Sequence, residues 1–552
     1  MATQPEISAK QELTQQKQSA SQTAAQASAA EQVPLEIKAP EFFIDLRPRL
    51  FKLPEFEEKT RINVRYPLLP PYAFAHIYWD EEQKELLYQV EEKLLTDAEK
   101  ELLKLIQLGL EEMINISFGY AIKSNLIIKY LERNVQSILA ELGAKVSRDS
   151  YLKIMYYIYR DFIGLNEIEP LINDPYLEDI ECNGTGTPIY VVHRKYQNLR
   201  TNIIYHEATK LVDFVEKLAQ KTGRYVSYAK PLLDGSLPDG SRVNATYTSD
   251  VTTHGPTFTI RKFTKEPLTP LHLITYNTAS PETFAYIWMA VENKFNIITI
   301  GETASGKTTF LNAILQFVPS EARIVSIEDT REINLYHKNW IPAVARVGFG
   351  IPNLLGKQYG EITLFDLLKE TFRQNPDYVV VGEVRGKETY VLFQGMASGH
   401  SSYSTFHAAS VETLVRRLET PPINLPASLV DSLDIIISVM HLKDQRRNIR
   451  RMTNLREVIE VKQQVGSVNS HALFEWEPLK DAFIFNGNSH ILSVISKRTG
   501  TPVKKLEEEM RVRAKILQKM VDKGIMSYTE FTKVINIYYR EPDTVIRELG
   551  IE

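Results

Sequence analysis

An α/β fold built around a phosphate-binding loop is the architecture this sequence predicts, and three observations carry it. The apolar run "NIITI" (296–300) leads into "GETASGKTTF" (301–310) and then "LNAILQFV", a strand, a glycine turn and an amphipathic helix in succession. Two more apolar strands, "RIVSI" (323–327) and "YVVV" (378–381), are each followed by acids. Helical patterns alternate with these strands, as a parallel sheet with helical crossovers requires.

With 552 residues the chain is too long for one core. Its 43 % apolar and 24 % charged residues are those of a globular protein, and a net charge of −4 excludes a strongly basic polyelectrolyte. A single cysteine, Cys182, excludes an internal disulfide framework and any multi-cysteine zinc site. The start lacks a signal-peptide pattern and no apolar run reaches the ~18 residues of a membrane span. A cytoplasmic chain is expected, acting on a membrane only through a partner.

Residues 1–44 form a Gln/Ala/Ser-rich tail with too little apolar surface to order itself. Residues 45–165 begin with the proline-stiffened strand-and-turn stretch "YPLLPPYAFAHIYWDEE" and continue as helical patterns, ending at Gly164. Residues 166–270 are expected to form a small α+β domain, with two Asp-Gly pairs in "DGSLPDGSRV" as turn signals. "TKEPLTPLHL" (264–273) reads as a linker. A helix should then start at Ser280–Pro281 and bury Phe284, Ile287, Trp288 and Val291 along one face.

Gly301, Gly306, Lys307 and Thr308 fit G-x-x-x-x-G-K-[ST]. Such a loop turns backbone N–H groups inward onto phosphate oxygens, and the helix that follows adds its positive dipole end. Gly301, Glu302, Thr303, Ala304, Ser305, Gly306, Lys307, Thr308 and Thr309 are the candidate nucleotide-binding residues. Lys307 suits the β and γ phosphates, and the Thr308 hydroxyl suits Mg²⁺.

Hydrolysis also needs an activated water and a held metal. Glu383 lies just past the "YVVV" strand, at the sheet edge where α/β proteins bind ligands. Glu328, Asp329 and Glu332 follow "RIVSI"; taken alone, a solvated charge cluster is a serious rival reading. His400 and His407 flank a strand-like segment in "SGHSSYSTFHA", a poor metal site but suited to hydrogen bonding with phosphate.

Together these four boxes closely resemble the Walker A, Asp, Walker B and His boxes of the type II/IV secretion ATPase superfamily. It contains secretion ATPases, pilus assembly motors and VirB11-like enzymes. The resemblance extends upstream through "DPYLEDIECNGTGTPIYVVHRKY" to "YPLLPPYAFAHIYWD" and downstream to "YYREPDTVIRELG". "GETASGKTT" and the Asp329–Thr330 pair are closer to the archaellum motor and archaeal pilus ATPases than to bacterial forms, which usually carry Asp-Pro there.

The resemblance implies a RecA-like ATPase domain at 271–480, preceded by a smaller, PAS-like α+β domain and a helical N-terminal region. A helical extension would follow at 481–552. It implies ATP and Mg²⁺, with Thr308 and Asp329 at the metal, and a homo-hexamer at the inner face of the cell membrane. A polytopic platform protein of a pilus, archaellum or secretion system would receive the work. Family arginines that reach the nucleotide from the smaller domain map to Arg242 and Arg261. Gly382 stands where a Walker B aspartate would, and the choice of water-activating acid among Glu328, Glu332 and Glu383 stays open. No nucleic acid is expected, since "DQRRNIRR" (444–451) reads as a solvated charged turn; the alternative is a RecA-like nucleic-acid translocase.

Overall fold

The computed structural model describes residues 42–46, 53–54, 58–113, 124–263, 266–346, 348, 358–443, 448–462 and 464–551. The expected tail lies outside them up to residue 41, as does Thr264–Lys265 of the expected linker. Phe42 and Ile44, included in the tail on sequence grounds, are instead buried core residues. The chain divides into two compact units, Met1–Trp79 with Gln89–Asn173, and Asp80–Tyr88 with Asp174–Glu552.

The first unit is not purely helical. It holds strands β1 (Asn63–Leu69) and β2 (Ala73–Asp80, less its last residue), paired antiparallel, and the second half of β3 (Glu85–Glu92). Helices Asp97–Met113, Ser124–Glu141 and Arg148–Ile158 follow. Leu103, Ile106 and Leu110 of the first helix, Leu131 and Val135 of the second and Ile154 and Met155 of the third share one core. The three- and four-residue spacings in the first two helices are the helical periodicity legible in the sequence.

The second unit opens with an antiparallel subdomain of β4 (Leu177–Cys182), β5 (Pro188–His193), β6 (Gln197–Ile204), β7 (Leu232–Ser236), β8 (Arg242–Thr246) and β9 (Thr257–Arg261). Its order is β6-β5-β4-β9-β8-β7, and the first half of β3 adds in parallel beside β6. Of the two Asp-Gly pairs only Asp239–Gly240 makes the turn, with the Gly240 N–H donating to the Leu237 carbonyl at 2.9 Å. Asp234–Gly235 lies within β7. Part of the expected linker is helical: Thr269 caps Pro270–Thr275 in a reciprocal capping box with His272.

The rest is an α/β/α layering around strands β10 (Ile297–Gly301), β11 (Ile324–Glu328), β12 (Trp340–Val344), β13 (Tyr378–Val381), β14 (Ser401–His407), β15 (Ile435–Lys443), β16 (Asn448–Val461), β17 (Val468–Glu477) and β18 (Ala482–Phe485). The order is β12-β11-β13-β14-β10-β15-β16-β17-β18, parallel as far as β15 and antiparallel beyond. Strands β10, β11 and β13 are buried at every position, as strands covered on both faces must be. Successive residues serve opposite cores: Tyr378 and Val380 face one, Val379 and Val381 the other.

Helix Pro281–Glu292 begins as expected, with the Ser280 hydroxyl accepting from the Thr283 N–H. It is buried from Thr283 to Val291, not along one face. The cause is the C-terminal extension: helices His490–Thr499, Val503–Asp522, Tyr528–Arg540 and Pro542–Leu549 contribute to the same core. The segment expected to be a basic turn at 444–451 opens β16 from Asn448 onward, while residues 444–447 lie outside the described ones.

Candidate nucleotide site

The parallel strands deliver their C-terminal ends to one edge. Gly301 at the end of β10 is in register with His407 at the end of β14, and Val381 of β13 with Ser404. The phosphate loop leaves β10 and turns into helix Lys307–Ile314 through Gly306, whose φ of +94° is in the left-handed region that favours glycine. A groove of about 280 Å³ opens beside the loop, lined by Gly301, Glu302, Thr303, His407, Thr413 and Arg417, among others. Thr308 is half-buried in the first turn of the helix and Thr309 is exposed.

Lys307, largely buried, donates from Nζ to the Glu302 carbonyl at 2.7 Å and reaches His407 Nδ1 at 3.3 Å. The other ring nitrogen, Nε2, lies 2.9 Å from Glu383 Oε1. An ammonium only donates, so Nδ1 accepts from Lys307. The ring lies between Lys307 and Glu383, but the Nε2 approach is not aligned as a hydrogen bond, and Glu383 Oε1 is buried without a hydrogen-bond partner among the described residues. Burial holds the His407 pKa below its ordinary value against the opposing pull of Glu383. Burial also lowers Lys307, again against Glu383. The second Glu383 oxygen takes an ion pair from Arg385.

Glu328 ends β11 and is 3 % exposed. Its Oε1 accepts the N–H groups of Glu332 and Ile333, both at 2.9 Å, and burial pushes its pKa up to about 7. Gly382 leaves room beside it: a Cβ there would lie 3.1 Å from Glu328 Cγ, a tight contact. Asp329 and Glu332 point outward from the same turn. Burial raises the Asp329 carboxyl, with Arg385 and Arg242 pulling the other way. The turn is also tied to the phosphate-loop helix, because Asn312 donates to the Glu332 carbonyl at 3.1 Å and accepts from the Asn334 N–H.

Arg242 and Arg261 face each other directly across β8 and β9. Each is occupied within its own subdomain, Arg242 by Asp234 at 3.1 Å and Arg261 by Asp179 at 3.1 Å. Their charges still reach the acidic turn. Arg242 acts on Asp329, while Arg261, raised chiefly by Asp179, also feels Glu332.

One expected site residue does not belong here. His400 precedes β14 and His407 ends it, so the two lie ~20 Å apart at the strand rise. The His400 ring packs edge-on against Phe372, 4.9 Å between centroids.

Three residues were missed by sequence reasoning. Asn312 carries no motif signal. Arg417 donates to the His407 carbonyl and stacks on Phe406 at 4.9 Å. Arg450 sits over the phosphate loop, donating to the Ala304 carbonyl at 3.3 Å. Its neighbour Arg451 is buried against Asp481 at 2.7 Å. The basic cluster was the available signal for Arg450, but it did not point to the loop.

The profile of the family described as "Type II/IV secretion system protein" matches residues 163–532, more than half the chain. The chain belongs to the type II/IV secretion system family of ATPases. An uncharacterized protein of Methanocaldococcus jannaschii is 36 % identical over 527 residues, spanning 92 % of this chain and 93 % of its own. The type IV secretion system protein PtlH of Bordetella pertussis is 29 % identical over 281 residues, spanning 44 % of this chain and 81 % of its own. The pilus retraction motor PilT with bound ADP superposes on 68 % of this chain and 94 % of its own, at 16 % identity and a TM-score of 0.37, too loosely to bear on fold or function. As a member of this family the chain binds nucleotide on a RecA-like domain.

Among the described residues no group of three or more His, Cys, Asp or Glu is placed to hold a metal. Mg²⁺ in phosphate-loop enzymes is held through one or two protein oxygens, with phosphates and waters completing the shell. Thr308 and Asp329 supply hard oxygen donors of that kind. No described helix is long and apolar enough to cross a membrane.

Proposed function

We propose that this chain is the motor of a pilus-type filament or secretion machine, with Glu383 as the acid that takes the proton of the attacking water. The observation that carries the reading is the His407 ring held between Lys307 and Glu383. It links the group suited to the γ phosphate with the carboxylate suited to the water. Glu328 is a weaker candidate, since its carboxyl is buried and its Oε1 is held by the backbone of its own turn, leaving only Oε2 without a hydrogen-bond partner among the described residues. Lys307 and the 301–309 backbone bind the phosphates. Thr308 and Asp329 would hold Mg²⁺, which when bound neutralises charge developing on the phosphates. Arg242 and Arg261 would leave Asp234 and Asp179 for the nucleotide as the smaller domain closes, and loss of the γ phosphate would release that closure.

The finer reading is a homo-hexamer at the inner face of the membrane, passing rigid-body motion to a polytopic platform protein. Family membership and the type IV secretion relatives support it. Removing the gene should abolish one surface filament or one secreted product. Adding back the wild-type chain should restore it, and adding back Glu383→Gln should not. Unchanged filaments and secretion after removal, or full rescue by Glu383→Gln, would contradict the motor reading.

A further inference from the structure

We infer that Arg331 is a positioning residue that fastens the acidic turn to the α+β subdomain, so that Asp329 and Glu332 are correctly placed only while that subdomain is docked. The guanidinium lies between two rings, 5.5 Å from the Phe263 centroid and 5.3 Å from that of Trp340. Each ring is fixed to a different domain.

Phe263 follows β9, the strand that carries Arg261. Its N–H donates to the Ser241 hydroxyl at 3.1 Å, and its ring lies against the Gly240 backbone, where a Cβ would come within 3.1 Å of Phe263 Cγ. Phe263 is thus seated in the turn that leads into Arg242. Trp340 opens β12, and its indole N–H donates to Ser326 in β11 at 2.9 Å, two residues before Glu328. Arg331 bridges these two anchors from inside the acidic turn.

Stability alone does not account for this placement. Among the described residues Arg331 makes no ion pair, and its buried Nε has no hydrogen-bond partner. A buried donor left unpaired costs free energy. What the position offers is a flat cation with a face for each ring, which a lysine ammonium does not have. When the subdomain moves, Phe263 moves with it, and the turn bearing Asp329 and Glu332 loses its brace. The role rests on the hydrolytic reading above.

The test uses the full chain and follows phosphate release together with tryptophan emission, assigning Trp340 by difference from Trp340→Phe. Arg331→Met and Phe263→Leu should each lower kcat by at least ~10-fold with KM changed less than ~3-fold, since small misplacements of reacting groups act on the chemical step. Arg331→Lys should be as slow as Arg331→Met, and the double variant no slower than either single one. The Trp340 emission change on adding Mg-ADP should vanish in Arg331→Met. Phe263→Leu, on the other domain, tests the same brace if Arg331→Met fails to fold. Turnover of Arg331→Met within ~2-fold of wild type, full rescue by Arg331→Lys, or multiplicative effects of the two single changes would overturn the inference. Lys307→Ala separates the two levels. If it is inactive while Arg331→Met is active, only the brace fails; if Lys307→Ala itself turns over, the hydrolytic reading fails.

Discussion

Gly382, just past β13, lies beside Glu328 at the end of β11, and a Cβ on it would press to 3.1 Å from Glu328 Cγ. In the sequence, Gly382 registers only as a missing aspartate, because the contact that explains it lies more than fifty positions upstream. The phosphate loop was legible for the opposite reason: its chemistry is contained in nine consecutive residues. Glu328 carries a pH signature. Its pKa is raised from 4.5 to about 7 by burial, so the folded state holds a proton that the unfolded chain has released between those values. Its contribution to stability is fully present below about pH 4.5 and is lost as pH rises to about 7, by on the order of 3 kcal/mol. Denaturation midpoints of wild type and Glu328→Gln, measured between about pH 5 and 8, should therefore diverge, with only wild type showing this loss. Parallel pH profiles would contradict the buried, protonated carboxyl.

At the scale of elements, the helix at 281–292 shows what a periodic pattern leaves out. Phe284, Ile287, Trp288 and Val291 do form an apolar face, yet Tyr286, Met289 and Ala290 are buried as well. Helices more than two hundred residues later supply the second cover, and nothing local to "SPETFAYIWMAVENK" encodes their arrival. Arg513 of Val503–Asp522 fastens them. It is buried between Glu292 at 2.6 Å and Glu509 at 2.8 Å, with its guanidinium 4.6 Å from the Trp288 ring. Arg513→Met should destabilise the chain by about 3 kcal/mol, since it strands two half-exposed carboxylates and removes the ring contact. Chemical denaturation checks the magnitude, and amide exchange across 503–549 should quicken in the variant. An unchanged midpoint would show that the extension docks without this residue.

Over the whole molecule, the strand order is the quantity the sequence could not supply. Four boxes spread across residues 301–407 become one site because β11, β13, β14 and β10 lie side by side with their C-terminal ends together. His400 and His407 stand at opposite ends of β14, so the extended strand itself keeps His400 away from that edge. Arg242 and Arg261 are cross-strand neighbours, and only the antiparallel register of β8 and β9 distinguishes them from the chain's other cations. The central claim is that the loop, His407 and Glu383 form one hydrolytic centre entered through Lys307. Phosphate release from ATP by Lys307→Ala, on protein whose thermal unfolding matches wild type, tests it most directly. The account predicts that turnover is abolished; near-normal turnover would contradict it.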